Sequence, residues 1–173
     1  TPHYLHSPLA VQAANAGKHV LTEKPIACTL DQADRMIEAC KANGVKLGVL
    51  VIRNAVQTLK AKELIDAGVI GKIIGIQFHY MASKPESYWT QGYSGRVQTD
   101  WRQSKEKSGG GPLVMNLVHD IDRFRFMTGL EAVRVSCEYD TFHTDVEVED
   151  YVSVVFRYDN GAIGTATAVS VAQ

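Results

Sequence analysis

Gly17-Lys18-His19-Val20-Leu21-Thr22-Glu23-Lys24-Pro25 is the stretch that decides how this chain is read. Its middle, His19 to Thr22, has the length and composition of a short buried strand. The run before it, His3 to Ala16, repeats Leu5, Leu9, Ala10, Ala13 and Ala14 at helical spacing, and Gly17 stands where a C-cap belongs. After the strand, Thr29 opens a second helical run with Gln32 three residues on, the pattern of a capping box. That run carries Met36, Ile37, Cys40 and Ala42 and stops at Asn43-Gly44. Val45 to Ile52 is then nearly continuous apolar sequence, as a buried parallel strand requires. Helix and strand in alternation predict the second half of a doubly wound sheet. Lys24 stands at the carboxyl end of one strand and Arg53 at that of the next, the edge where such sheets bind ligands. Pro25 disfavours helical torsions at Lys24, so the lysine amine leaves the strand in one direction.

Beyond Arg53 the period changes. A helix from about Val56 to Ala67, closed by Gly68, leads into sequence that alternates by two: Ile74, Ile76, Phe78 and Tyr80, then Val133, Val135, Cys137 and Tyr139, then Val152, Val154, Phe156 and Tyr158. Asp159-Asn160-Gly161 predicts a hairpin into a last strand, Ala162 to Val171. These read as a largely antiparallel sheet with one apolar face packed on helices. Between its first and second strands lie a long polar loop, about Ser83 to Ser108, and one helix. The loop carries Tyr88, Trp89, Tyr93 and Trp101, which serve either as flat surfaces for a ring-shaped ligand or as pins for the loop itself. The helix starts at Pro112 and ends before Gly129, with Leu113, Leu117, Ile121, Phe124 and Thr128 as its buried stripe. Asn116, His119 and Arg123 share another face. The expected fold class is therefore α/β. The C-terminal part of a Rossmann-like doubly wound domain, residues 1–53, precedes an α+β domain, residues 54–173, with a largely antiparallel open sheet.

Composition narrows the function classes. The chain has 173 residues, 45% hydrophobic and 21% charged, with a net charge of -1. That balance leaves no electrostatic footprint for nucleic acid or an acidic membrane, and no apolar run approaches the roughly 20 residues of a membrane span. Cys28, Cys40 and Cys137 are odd in number and far apart, which fits reduced thiols in a cytoplasmic protein better than disulfides or a zinc site. Gly109-Gly110-Gly111 lacks the spacing of a dinucleotide-binding turn and no G-x-G-x-x-G occurs. Because Thr1 reads as a strand exit and the last residues are strand-like, we expect an internal piece of a longer protein, with that turn upstream.

The order and spacing of several motifs resemble the glucose–fructose oxidoreductase and inositol dehydrogenase (Gfo/Idh/MocA) family of NAD(P)-dependent enzymes. They are Thr1-Pro2-His3-Tyr4-Leu5-His6, Ala16-Gly17-Lys18-His19-Val20, Glu23-Lys24-Pro25, Arg53, Trp101-Arg102, Gly109-Gly110-Gly111, His119 with Asp122, and Glu149-Asp150. The resemblance implies an NAD or NADP cofactor and hydride transfer to or from a CH–OH group of a sugar, cyclitol or related polyol. It implies Lys24 and His119 as the catalytic pair, a proton acceptor and a donor to the developing alkoxide. Thr1, Pro2, His6, Glu23, Lys24 and Pro25 fall on the cofactor side, with His3 a weaker candidate. Arg53, Trp89, Asn116 and His119 are the substrate-side candidates. Arg53 and Arg102 are read either as ligand contacts or as interface ion pairs, Arg102 preferably the latter, and Asp122 and Asp150 as structural. The family often has an aspartate four residues before the histidine, where Met115 stands here, and Asn116 is the neighbouring polar residue. Partners expected are a small-molecule substrate and a second copy or copies, as a homodimer or homotetramer through the C-terminal sheet. A cofactor-sensing regulator without catalysis is the alternative. A metal-dependent hydrolase using His119, Asp120 and Asp122 is disfavoured by their spacing.

Overall fold

The computed structural model describes residues 1–53, 55–91 and 95–171. A 3₁₀ turn at His3–Leu5 leads into helix α1 (His6–Asn15), strand β1 (Val20–Thr22), helix α2 (Leu30–Ala42) and strand β2 (Leu47–Val49). β1 and β2 pair in parallel, with α1 packed on α2. The capping box forms with a shift. Thr29 Oγ1 accepts from Gln32 N at 3.2 Å, but Gln32 Oε1 reaches back to Cys28 N at 3.1 Å, one residue earlier than the usual partner. β2 is shorter than the apolar run from Val45 to Ile52 predicts. Leu50 and Ile52 lie beyond it and are about half exposed, so the run is not a continuously buried strand.

Helix α3 (Val56–Asp66) packs against a later helix, α6 (Val118–Thr128), and connects to the second sheet. That sheet has the order β3-β6-β5-β4, with β3 (Gly75–Met81), β4 (Ala132–Asp140), β5 (Tyr151–Tyr158) and β6 (Ile163–Val169). β4, β5 and β6 are antiparallel in sequence, while β3 pairs in parallel with β6, so the sheet is mixed. The hairpin before β6 forms as its sequence predicts. Gly161 takes φ +87°, and Asn160 Oδ1 accepts from Ala162 N at 2.8 Å.

The loop between β3 and the long helix is not without structure. It holds two short helices, α4 (Glu86–Thr90) and α5 (Lys105–Ser108); Tyr93 lies outside the described residues. The long helix is also not uniform. Leu113–Leu117 forms a π-helical turn, with Val118 N bonding back five residues to the Leu113 carbonyl, before α6 (Val118–Thr128) continues as an ordinary α-helix. Gly129, at φ +69°, ends it.

The main core lies between this helix and the sheet. Leu117 packs with Ile76 and Phe78 of β3 and with Val152, Val154 and Phe156 of β5, and Phe124 stacks on Phe78 at 4.9 Å. β4 departs from expectation. Register places Val135, Cys137 and Tyr139 opposite Phe156, Val154 and Val152, on the core side of the sheet, yet all nine β4 residues are exposed. The helix covers β5 and leaves the edge strand bare.

Candidate active site

Lys24 leaves β1 and reaches across to the π-helical turn, where its ammonium donates a hydrogen bond to the Met115 carbonyl. The Lys24–Pro25 bond is cis. The widened turn is what meets the lysine: π-turns loosen the i→i−4 ladder and are frequent at functional sites. The aspartate expected by resemblance is thus replaced by a residue that contributes its backbone. The Met115 side chain turns into a small buried cluster with Trp89 and Val148, its sulfur 3.6 Å from the Tyr88 hydroxyl.

Around Lys24 lies a cleft of about 510 Å³ lined by Thr1, His3, His6, Glu23, Lys24, Lys84, Tyr88, Trp101, Arg102, Met115 and Asn116. It thus joins the strand exits of the first sheet to the loop and helix that follow β3. His6 is held by donation from Nδ1 to the Pro25 carbonyl at 2.9 Å, which ties the first helical turn to the Glu-Lys-Pro bend. His3 is buried, donates from Nδ1 to the Ser108 carbonyl at 2.7 Å, and packs on Trp101 with ring centroids 4.5 Å apart. Burial drives its pKa down to about 4, against the opposing pull of the Ser108 carbonyl and helped by nearby His6, Lys24 and Arg102. At neutral pH it is therefore uncharged, and Nε2 is left as an acceptor.

Burial also lowers the Lys24 pKa. Glu23 opposes that shift, and Lys84 and Arg102 add to it. His119 is half-buried and shifted down as well, first by burial and then by the positive charge of Lys24. His119 Nδ1 has no hydrogen-bond partner among the described residues, an arrangement that native interiors seldom leave without a purpose.

Of the residues singled out from sequence, Thr1, His6, Glu23, Lys24 and Asn116 line the cleft, and His119 lies within electrostatic reach of Lys24. Pro2 opens the 3₁₀ turn, and Pro25 contributes its carbonyl to His6. Arg53 is elsewhere. Its guanidinium pairs with both carboxylate oxygens of Asp122, with Nε to Oδ2 at 2.7 Å, and lies over the Phe126 ring. It clamps α6 to the end of the first sheet, and Asp122 is its structural partner. Trp89 is buried in the Met115 cluster and does not line the cleft; its neighbour Tyr88 does. Arg102 forms no ion pair among the described residues and faces the cleft, 4.7 Å from the Tyr88 ring centroid and 4.4 Å from that of Trp101. Asp150 is fully buried and accepts from the backbone of Phe142, His143 and Thr144; these bonds outweigh burial and hold its pKa below the usual carboxylate range.

Two roles escaped sequence reasoning. Glu149 caps the π-turn, accepting from Gly111 N at 2.8 Å and Leu113 N at 3.1 Å. This explains the glycines: a Cβ at Gly111 would collide with the Glu149 carbonyl, and one at Gly109 would press to 3.0 Å on the Cys28 backbone. Lys84 is the other, a lone lysine after a strand with no local pattern to mark it.

The sequence models of two adjoining domains match the chain, one described as an oxidoreductase family with an NAD-binding Rossmann fold over residues 1–51, the other as the GFO/IDH/MocA C-terminal domain over residues 58–173. Levoglucosan dehydrogenase of Pseudarthrobacter phenanthrenivorans is 29% identical over 97% of this chain and 47% of its own length. 1,5-Anhydro-D-fructose reductase of Ensifer adhaerens is 34% identical over 94% of this chain and 46% of its own. Among solved structures, the WlbA dehydrogenase from Bordetella pertussis, in complex with NADH and UDP-GlcNAcA, superposes with a TM-score of 0.88 at 28% identity, covering 100% of this chain and 51% of that one. The chain spans about half the length of the relatives it matches.

Proposed function

Because this chain belongs to the Gfo/Idh/MocA oxidoreductase family, we propose that the full-length protein transfers a hydride between NAD or NADP and a CH–OH group of a sugar, cyclitol or related polyol. The observation that carries this reading is the single cleft into which Lys24, Glu23 and Asn116 all face, with the charge of Lys24 felt at His119. Relatives named for levoglucosan and for anhydrofructose support a carbohydrate substrate.

The cleft suits a nicotinamide head with a small substrate against it. Its volume lies within the usual range for small-ligand sites. Thr1, Pro2, His6, Glu23, Lys24 and Pro25 would hold the cofactor side; Asn116 and His119 would face the substrate. Arg53 and Trp89 drop out of the substrate set. The nicotinamide, when bound, supplies the hydride acceptor or donor. In alcohol oxidation His119 takes the hydroxyl proton, and its depressed pKa keeps it in the basic form at neutral pH. Lys24, fixed on the Met115 carbonyl by one of its three N–H bonds, has two left to donate to the developing alkoxide. We place the domain boundary at residues 53/54 and the protein, with its three free cysteines, in the cytoplasm. Assembly into a homodimer or homotetramer would use the outer face of the four-stranded sheet.

The test is reduction of NAD+ or NADP+ by a panel of sugars and polyols with the full-length protein, followed by absorbance at 340 nm. Turnover of at least one is expected. Cofactor binding without turnover of any would favour the sensing regulator.

A further inference from the structure

We infer that two copies of the chain stack outer face to outer face with β4 over β4 and the strands reversed, so that arginines at one end of each face meet carboxylates at the far end of the other; this rests on the assembly reading above. Register fixes which residues share that face. Arg134 lies opposite Arg157, Ser136 opposite Val155, Glu138 opposite Ser153 and Asp140 opposite Tyr151, and these positions alternate with the buried Phe156, Val154 and Val152. The charge is sorted by end. One end carries two arginines side by side, and the other carries two carboxylates two residues apart on β4. Like charges placed this way repel within each copy. Arg134, Arg157, Glu138 and Asp140 take no part in the ion pairs formed among the described residues, and β4 is exposed along its whole length.

The acidic end is also shaped to receive a guanidinium. Glu138, Tyr139, Asp140, Phe142 and Tyr151 line a hollow of about 470 Å³, with the Phe142 and Tyr151 rings edge to face and 6.1 Å apart. Carboxylates accept the fork of an arginine, and aromatic rings attract its charge. Two sheets stacked by a two-fold have that axis in the plane between them. An axis across the strands lays each strand over its own copy, reversed. The row of Arg134 and Arg157 then covers the row of Asp140 and Tyr151, with Glu138 one row further in, and Val155 covers Ser153. An axis along the strands lays β4 over β3 instead. The outward residues of β3 are Gly75, Gln77, His79 and Met81, which offer no carboxylate to the arginines and leave both charged ends unpaired. The charges therefore select the first arrangement.

The experiment follows the mass of the full-length protein by light scattering and sedimentation at micromolar concentration. The wild type should assemble, with a dissociation constant that rises at least 10-fold between about 0.05 and 0.5 M NaCl. Arg134→Glu makes both ends acidic, and Glu138→Arg with Asp140→Arg makes both ends basic. Each variant alone should dissociate, by roughly 10- to 100-fold in affinity, and an equimolar mixture of the two should associate again. Arg157→Glu should weaken assembly as well, because β5 takes part in the stack. Loss of assembly with Arg134→Glu but not with Arg157→Glu would assign edge-to-edge pairing of β4 and overturn the stack. Assembly indifferent to salt and to every reversal would overturn this arrangement and leave the assembly reading standing. A wild-type monomer would count against both. Because the salt titration is made on the wild type, it decides even if a variant folds poorly.

Discussion

At the scale of single residues, the proposed chemistry rests on two bases, both depressed and of different kinds. His119 is lowered by burial and by Lys24, so its basic form persists to lower pH than an ordinary histidine's. For alcohol oxidation, kcat/KM should rise with pH through a titration lying below the usual 6.5 and then stay level through neutrality. In the full-length enzyme His119→Ala should lower kcat by roughly 10²- to 10⁴-fold and remove that limb. Lys24→Ala should cost at least as much, because it removes both the alkoxide donor and the tie to Met115. A His119→Ala enzyme with the wild-type rate and pH profile would make His119 structural. Lys24 and His119 became candidates through the family resemblance, each in a segment with a local marker, a proline at a strand exit and a triple glycine ahead of a helix. The cleft positions of Arg102 and Lys84 were not legible. They come from Tyr88 and Trp101 folding over them, and a cation's neighbours across a loop leave no period in the sequence.

At the scale of elements, the helix that bears His119 is the decisive piece, and its first turn depends on a distant residue. Glu149 supplies two acceptors to the backbone N–H groups of Gly111 and Leu113, and its charge faces the positive end of the helix. Glu149→Gln keeps the shape but replaces one acceptor oxygen with a donor. It should destabilise the protein by about 1–2 kcal/mol, read by denaturant unfolding, and should lower kcat as the Met115 carbonyl loses its fixed position. Unchanged stability would show that the cap is dispensable. The helix itself was read correctly from Pro112 to Gly129 because its stripe recurs at helical spacing. The π-turn within it was not, since one extra residue in one turn barely disturbs that stripe. The same limit hid the loop helices α4 and α5, too short to show a period, and truncated β2, whose apolar run continues past its last hydrogen-bonded pair.

At the scale of the whole molecule, alternation along a strand told which residues share a face but not what covers that face. It placed Val152, Val154 and Phe156 in the core and placed Val135, Cys137 and Tyr139 beside them, although only the first group lies under the helix. The opposite face presents Tyr151, Val155 and Ile163, each partly exposed, which is where assembly would occur. Val155→Arg should shift a full-length dimer or tetramer toward monomer in light scattering at micromolar concentration, while a wild-type monomer would sink the assembly proposal. The Glu149 cap carries a further consequence, in the order of events during folding. Its bonds close loops of 38 and 36 residues, so the first turn of the helix that bears His119 cannot be completed until the chain leading into β5 has docked. Local helix formation, fast as it is, should leave that turn frayed while the rest of α6 is already wound. In hydrogen-exchange experiments the Gly111 and Leu113 amides should gain protection together with the β5 ladder, after the amides of α6, so Lys24 would find its anchor only in the last stage of assembly.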